Sequence, residues 1–265
     1  MTFGTTSSGT FYYFNNKHQS IPIVFIHGVG LTHEIWEPQL NFFKEYNTIS
    51  YDILGHGKTP LKKNKISFDD FSDQLINLID ELKIDKIHLV GFSIGSLIAR
   101  NFAIKFSDRL KSLILLCSIY KRSKEQQKIV NERFDQAKKE LKLSKLALKR
   151  WFTDEYLEKN PNTYEKITSI LSANNMQNFL KVYELFVTHK NDEDFNKIKA
   201  KTLIMTGEHD AGSTTAMSEE LNKIIKDSQL KIINNGKHLC GIECADNVNL
   251  TIKNFIDKNE WFKTL

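Results

Sequence analysis

The sequence predicts an α/β protein: a mostly parallel central sheet flanked by helices, with a block of helices inserted between two of its strands. Three observations predict it. Short, nearly continuous apolar runs, the mark of strands covered on both faces, alternate with segments of helical period along residues 21–117 and again along 198–265. Strands that alternate with helices pair in parallel through right-handed crossovers. Between these two stretches, residues 118–197 carry no strand signal of comparable strength. The expected organisation is a core in two pieces, 1–117 and 198–265, interrupted by a helical lid at 118–197.

Residues 10–15 mix aromatic and polar side chains and Asn16-Lys17 offers a turn, so the chain is expected to begin as an antiparallel hairpin at a sheet edge. Ile21-Pro22-Ile23-Val24-Phe25-Ile26 is the first buried strand. It runs into His27-Gly28-Val29-Gly30, a loop whose glycines let backbone N–H groups approach a ligand closely, and residues 35–46 then read as a helix. Thr48-Ile49-Ser50-Tyr51-Asp52 is the next strand, followed by the loop Gly55-His56-Gly57-Lys58-Thr59-Pro60. Phe68, Phe71, Leu75, Leu78, Ile79 and Leu82 recur at helical spacing. The strand Ile87-His88-Leu89-Val90 ends at Gly91-Phe92-Ser93-Ile94-Gly95, a helix-forming segment follows, and Leu113-Ile114-Leu115-Leu116-Cys117 closes the first piece.

In the insertion, Val130, Phe134, Ala137, Leu141 and Leu148 fall on one helical face, and the apolar spacing from Ile167 through Val187 indicates more helix. The sheet resumes at Thr202-Leu203-Ile204-Met205-Thr206, followed by Gly207-Glu208-His209-Asp210. A helix over 217–225 leads to the last strand, Leu230-Lys231-Ile232-Ile233, and its exit loop Asn235-Gly236-Lys237-His238. A helix over 246–259 closes the chain with Val248, Ile252, Phe255 and Ile256 facing inward.

Composition bounds the function. The chain has 265 residues, 26% of them charged, and no apolar run near the roughly 20 residues that span a bilayer. The first ten residues lack the charged-then-apolar pattern of a signal peptide, so a cytoplasmic location is expected. Cys117, Cys240 and Cys244 are an odd number without a framework spacing, which suits reduced thiols. His238, Cys240 and Cys244 lie close in sequence but lack a fourth ligand at a zinc spacing, so neither metal nor cofactor is expected. The formal net charge is +5, yet between Lys121 and Arg150 stand 11 Lys or Arg against 4 Asp or Glu, so the basic character belongs to the insertion. That run reads either as a solvated helix face or as an attractor of an acidic partner, a carboxylate-bearing lactone or an acidic acyl carrier protein. It lacks the aromatic-interleaved platform and reading helix of a nucleic-acid binder.

In a parallel sheet the loops leaving the carboxyl ends of the strands gather on one edge, where ligands bind. Ser93, Asp210, His238 and the His27–Gly30 loop all follow predicted strands and should converge there. Strand, Gly-x-Ser-x-Gly and helix form a sharp turn that presents the serine as a nucleophile; a side chain at either glycine would collide with the adjoining elements. A serine hydroxyl needs a base, which His238 would be, with Asp210 holding the imidazole tautomer. The tetrahedral oxyanion needs two uncharged donors, the backbone N–H groups of Val29 and Ile94. Blander roles stand beside these: a helix cap for Ser93, a turn residue for Asp210, a surface position for His238. His27 is expected to brace the glycine loop, and Asp52, His56 and Gly57 to shape the loop beside the site.

His27-Gly28-Val29-Gly30-Leu31, Trp36, Asp52-Ile53-Leu54-Gly55-His56-Gly57-Lys58-Thr59, the turn at Ser93, Gly207-Glu208-His209-Asp210 and Gly236-Lys237-His238 through Glu243 follow one another as in a known family. The chain resembles α/β-hydrolase fold serine hydrolases of the carboxylesterase and lactonase branch, in particular 3-oxoadipate enol-lactonases and pimeloyl-carrier-protein methyl ester esterases. Ser93 where haloalkane dehalogenases and epoxide hydrolases carry aspartate, and Gly30 in place of proline, set it apart from those relatives. Ala200-Lys201 and Ala245 depart from the family's usual prolines, away from the chemistry. The resemblance implies a hydrolase that cleaves a carboxylic ester or lactone of a small substrate, acidic or neutral, through an acyl-enzyme on Ser93. Two alternatives stay open: a methyl ester esterase whose basic lid docks an acidic carrier protein, and a non-catalytic binding protein on the same fold.

Overall fold

The computed structural model describes residues 2–17, 20–140 and 146–260. At the centre of an eight-stranded sheet, β3 (Ile23–Ile26) and β5 (Ile87–Phe92) lie side by side with every residue buried, as their unbroken apolar runs require. The strand order is β1-β2-β4-β3-β5-β6-β7-β8, with β1 (Thr2–Thr5), β2 (Phe11–Asn15), β4 (Thr48–Tyr51), β6 (Leu110–Leu116), β7 (Lys201–Gly207) and β8 (Ser228–Ile233). Pairing is parallel from β4 to β8 and antiparallel at the β1-β2-β4 edge.

Helices cover both faces. On one, α2 (Phe68–Glu81), α3 (Ile94–Lys105) and α9 (Thr215–Ile224) bury Phe71, Leu75, Leu97, Phe102 and Leu221 against Val24, Ile49 and Leu89. On the other, α1 (Glu37–Phe42), α10 (Cys240–Glu243) and α11 (Ala245–Glu260) enclose Phe25, Trp36, Val90 and Leu203 together with Cys240, Val248, Ile252 and Phe255. The amphipathic spacing of α2 and α11 is thereby explained: each presents one apolar stripe to the sheet.

Two local expectations needed correction. The opening hairpin turns at residues 6–9, where the Gly9 N–H donates to the Thr6 carbonyl at 2.9 Å, and not at Asn16-Lys17, which lie past the far end of β2. β1 escapes sequence reading because Thr2-Phe3-Gly4-Thr5 is a mostly exposed edge strand with no buried face to impose alternation. The helix expected over 35–46 is a 3-10 turn, His33–Trp36, running into α1, and it ends at Phe42 in a turn that closes with the Tyr46 N–H on the Phe43 carbonyl.

Between β6 and β7 the chain forms α4 (Lys124–Glu140), α5 (Leu146–Trp151), α6 (Asp154–Lys159), α7 (Pro161–Ser172) and α8 (Met176–Val187), and no strand occurs there among the described residues. Val130, Phe134, Ala137 and Leu148 are buried as their spacing predicts; Leu141 lies outside the described residues. Arg100, fully buried in α3, fastens this block to the core: its guanidinium donates to the Ile119 carbonyl at 2.8 Å on the way into the block and pairs with Glu193 on the way out. Burial pushes the Glu193 carboxyl up, but the bond from His189 and the charge of Arg100 outweigh it and hold it down to about 2.

Candidate active site

Ser93 follows β5 directly and precedes α3. Its φ of 56° lies in the left-handed region, a strained conformation for a residue with a side chain. The flanking glycines make the turn possible. A Cβ on Gly91 would stand 2.3 Å from the Gly95 carbonyl oxygen, and one on Gly95 would stand 2.5 Å from the oxygen of Ile26 and 2.6 Å from that of His27. Ser93 occupies the N-cap position of α3, yet its hydroxyl makes no capping bond. Instead Oγ lies 3.2 Å from Nε2 of His238.

Asp210 leaves the end of β7 and His238 the loop after β8, so the exits of β5, β7 and β8, on one edge of the parallel sheet, supply the three groups. His238 Nδ1 donates to Asp210 Oδ2 at 2.6 Å, which fixes the tautomer that leaves Nε2 free to accept from Ser93. The Asp210 carboxylate is 1% exposed, whereas the imidazole is 15% exposed toward the cavity. Burial disfavours both charged forms. For His238 the carboxylate of Asp210 outweighs burial and raises the imidazole above its ordinary value; for Asp210 the neighbouring imidazole and the N–H groups of Ser213 and Gly212 outweigh it and hold the carboxyl down. Asp210 is also the turn residue of the blander reading, because its Oδ1 accepts from Gly212 and Ser213 at 2.8 and 3.0 Å. One oxygen shapes the loop and the other holds the histidine.

The loop after β3 passes beside the serine: a Cβ on Gly28 would stand 3.4 Å from that of Ser93. Among the described residues, neither the Val29 N–H nor the Ile94 N–H donates to any protein acceptor. Two buried histidines brace this loop. His27 holds the Gly28 carbonyl at 2.8 Å through Nδ1 and accepts the Ile53 N–H at Nε2; His56 accepts the Gly30 N–H at 2.8 Å. Burial pushes both imidazoles down, His27 to about 4 and His56 to about 3, so each stays neutral and able to accept. Asp52 collects His33 Nδ1–H and the N–H groups of His33 and Lys58, which shapes the loop as expected.

A cavity of about 300 Å³ opens over Ser93 and His238, with Gly28 and Val29 in its floor and Val130, Arg133, Arg150, Trp151, Phe179 and Tyr183, all from α4 to α8, in its roof. Sequence reasoning located the basic run but could not say which cations face inward. It also missed two supports. Glu243 accepts from Thr153 N and Lys237 N at 2.8 and 2.9 Å and so ties the roof to the His238 loop; the Leu239 N–H, bonded to the Trp151 carbonyl at 2.9 Å, is a second tie. Cys117, at the end of β6, donates its thiol to the His238 carbonyl at 3.2 Å. Its position immediately after a buried strand, like those of Ser93 and Asp210, was the available signal.

Cys117, rather than Cys244, is the thiol that lies beside His238 and Asp210, with the three potential ligand atoms within 4.8 Å of one another. These atoms already bond one another or the backbone, and Cys240 Sγ lies 3.7 Å from Cys117 Sγ. The arrangement as a whole can move a proton from a hydroxyl to a half-buried, carboxylate-supported imidazole beside two free backbone donors.

Residues 21–243 match the profile of a family described as alpha/beta hydrolase fold. Among curated proteins the chain is similar to (E)-2-((N-methylformamido)methylene)succinate hydrolase of Acinetobacter baylyi, 28% identical over 261 residues that cover 97% of each chain. It is also similar to 3-oxoadipate enol-lactonase 1 of the same organism, 26% identical over 230 residues that cover 86% of each. Among solved structures, the enol-lactonase of Burkholderia xenovorans superposes with a TM-score of 0.88 at 23% identity, covering 97% of this chain and 100% of the other, a likeness of fold.

Proposed function

Because this chain belongs to the alpha/beta hydrolase fold family, we propose that it is a serine hydrolase that cleaves a small carboxylic ester or lactone through an acyl-enzyme on Ser93. The observation that carries the reading is the hydrogen-bonded line from Ser93 Oγ through His238 to Asp210, at 3.2 and 2.6 Å. As Oγ attacks the substrate carbonyl, His238 Nε2 takes its proton and Asp210 stabilises the imidazolium. The N–H groups of Val29 and Ile94 receive the oxyanion, and the proton passes from His238 to the departing alkoxide. Water then attacks the acyl-enzyme with the same histidine as base. Residues 118–197 act as the lid over a core made of 1–117 and 198–265. The relatives named for a succinate derivative and for an oxoadipate lactone support a small acidic substrate.

A short p-nitrophenyl ester should be turned over and a fluorophosphonate probe should label the protein, with both lost in Ser93→Ala. A folded chain that the probe does not label overturns the reading. Val29→Pro, which removes one oxyanion donor, should lower kcat about 100-fold or more; full turnover by that variant would reassign the donor. One observation favours a second reading, docking of an acidic carrier protein. An open groove on the outside of the roof, about 660 Å³, is lined by Lys121, Lys124, Lys128 and Lys190, which outnumber the acids Glu132 and Asp135 in the same lining. Carrier docking should weaken steeply with added salt, whereas a small neutral ester should not respond.

A further inference from the structure

The positive charge of the roof is not all turned to solvent. Arg133 of α4 and Arg150 of α5 are half-buried and line the same cavity as Ser93 and His238. A third arginine, Arg122, also reaches this cavity, but its guanidinium is committed to the carbonyls of Phe186 and Val187 at the end of α8, at 3.2 and 3.3 Å. Arg133 and Arg150 have no such commitment: among the described residues neither donates to an acceptor or pairs with a carboxylate. Tyr183 stands between them in charge terms, since its half-buried phenol feels both guanidiniums, and its hydroxyl likewise lacks a protein partner among the described residues. Glu140, the acid on the same rim, accepts instead from Gln136 at 2.9 Å.

Two like charges held together in a partly dry cavity are unfavourable unless an anion joins them. Burial, followed by the like charge of Arg133, pushes the Arg150 guanidinium below its ordinary range, as such crowding requires. Two planar forks and a phenol offer what a carboxylate accepts: paired N–H donors in fixed geometry and one O–H. Trp151, Phe179 and Val130 supply apolar wall in the same cavity, suited to a short methylene spacer.

We propose that Arg133, Arg150 and the Tyr183 hydroxyl form a subsite for a carboxylate at the end of the substrate remote from the scissile carbonyl, so that the substrates are half-esters or lactones of short dicarboxylic acids. The assignment rests on Ser93 as the nucleophile, and its test separates the two. Mono-p-nitrophenyl glutarate and p-nitrophenyl butyrate are compared on the same protein, and glutarate binding to Ser93→Ala is measured by calorimetry, which needs no turnover. The expected result is an anionic-to-neutral ratio of kcat/KM of about ten or more. That ratio should fall about tenfold in Arg133→Gln and in Arg150→Gln, through KM more than kcat, with a parallel loss of glutarate affinity. Tyr183→Phe should lower it about threefold, and Lys138→Gln, on the outer face of α4, should leave it unmoved. A wild-type ratio near one, or arginine variants that keep both the ratio and the glutarate affinity, overturns the subsite. Failure to hydrolyse either ester while glutarate still binds through the two arginines overturns the nucleophile and leaves the subsite standing.

Discussion

The floor and the roof of the cavity are built on opposite terms. The floor is the carboxyl edge of β3 and β5, strands with every residue buried, whose exits hold Ser93 and the Val29 loop through backbone contacts too close to admit a methyl group. The roof is α4 to α8, whose own small cluster of buried side chains is Val130, Phe134 and Val187, and which holds most of the basic run between Lys121 and Arg150. Close backbone packing fixes the floor, whereas the roof is held through side chains: Leu148, Phe152, Ile167 and Leu171 join the core beside the sheet, and Arg100 with Glu193 and Glu243 with Thr153 tie its ends. On the proposed reading the floor therefore sets the reaction and the roof sets which molecules undergo it. Geometry that must hold to a fraction of an ångström belongs on the more rigid of the two.

The sharpest way to break this contrast is at Ser93. Ser93→Ala should lower kcat by about 10⁴-fold or more while the protein keeps its melting profile, and Asp210→Asn should cost about 10⁴-fold. The pH profile carries a second sign. On the proposed reading His238 must be neutral to act as base, so the acid limb of kcat/KM should lie above 6.5, because Asp210 raises the imidazole from that value. In Asp210→Asn the limb should move down; an unmoved limb would show that another group sets it.

Stability should separate the two regions next. Phe25→Ala, in the floor, should cost about 3–5 kcal/mol in chemical denaturation, and Phe134→Ala, in the roof, no more than about 2 kcal/mol. Arg100→Ala crosses the seam and should cost about 3–5 kcal/mol, because it strands the carboxylate of Glu193 in a partly dry site. Equal losses at Phe25 and Phe134 would mean that the roof is as firmly packed as the sheet.

Acid should weaken the floor. His27 and His56 are held down to about 4 and about 3, so below about pH 6.5 the unfolded chain takes up protons that the folded chain refuses. Stability should decline from there toward pH 4, and His56→Gln, which keeps an acceptor for Gly30 N–H but cannot take up a proton, should lessen the decline. The smallest effect should come from the outer face of the roof: Lys128→Ala, whose 4.0 Å pair with Glu132 is largely exposed, should shift the melting midpoint by less than about 2 °C.

What could be read from the chain follows the same division. Strands β3 to β7 and helices α2, α3 and α11 were legible because burial on both faces, or along a helix, imposes a pattern that few other arrangements satisfy. Ser93, Asp210 and His238 were legible as candidates because each stands in the loop leaving a predicted strand, and the structure brings them within hydrogen-bonding distance. The roof was legible as helix and as positive charge, but not as a surface. Which way Arg133 and Arg150 point depends on how α4 and α5 lie over the sheet, and periodicity carries no information about that. Glu243 and Cys117 were opaque for a related reason: their roles are contacts with Thr153, Lys237 and His238, partners fixed only once the roof and the last loop meet.

Gly95 is pressed against the carbonyls of Ile26 and His27, and Gly28 against Phe92 and Ser93. Ser93 and the loop that carries Val29 are thereby parts of one solid block, with no slack between them to take up as a molecule arrives. Traffic into and out of the cavity has to be accommodated overhead. Any gating of the catalytic cycle falls to the helices between β6 and β7, and a cross-link that pins α4 to α8 should throttle exchange of reactant and product while leaving a bound ester just as reactive.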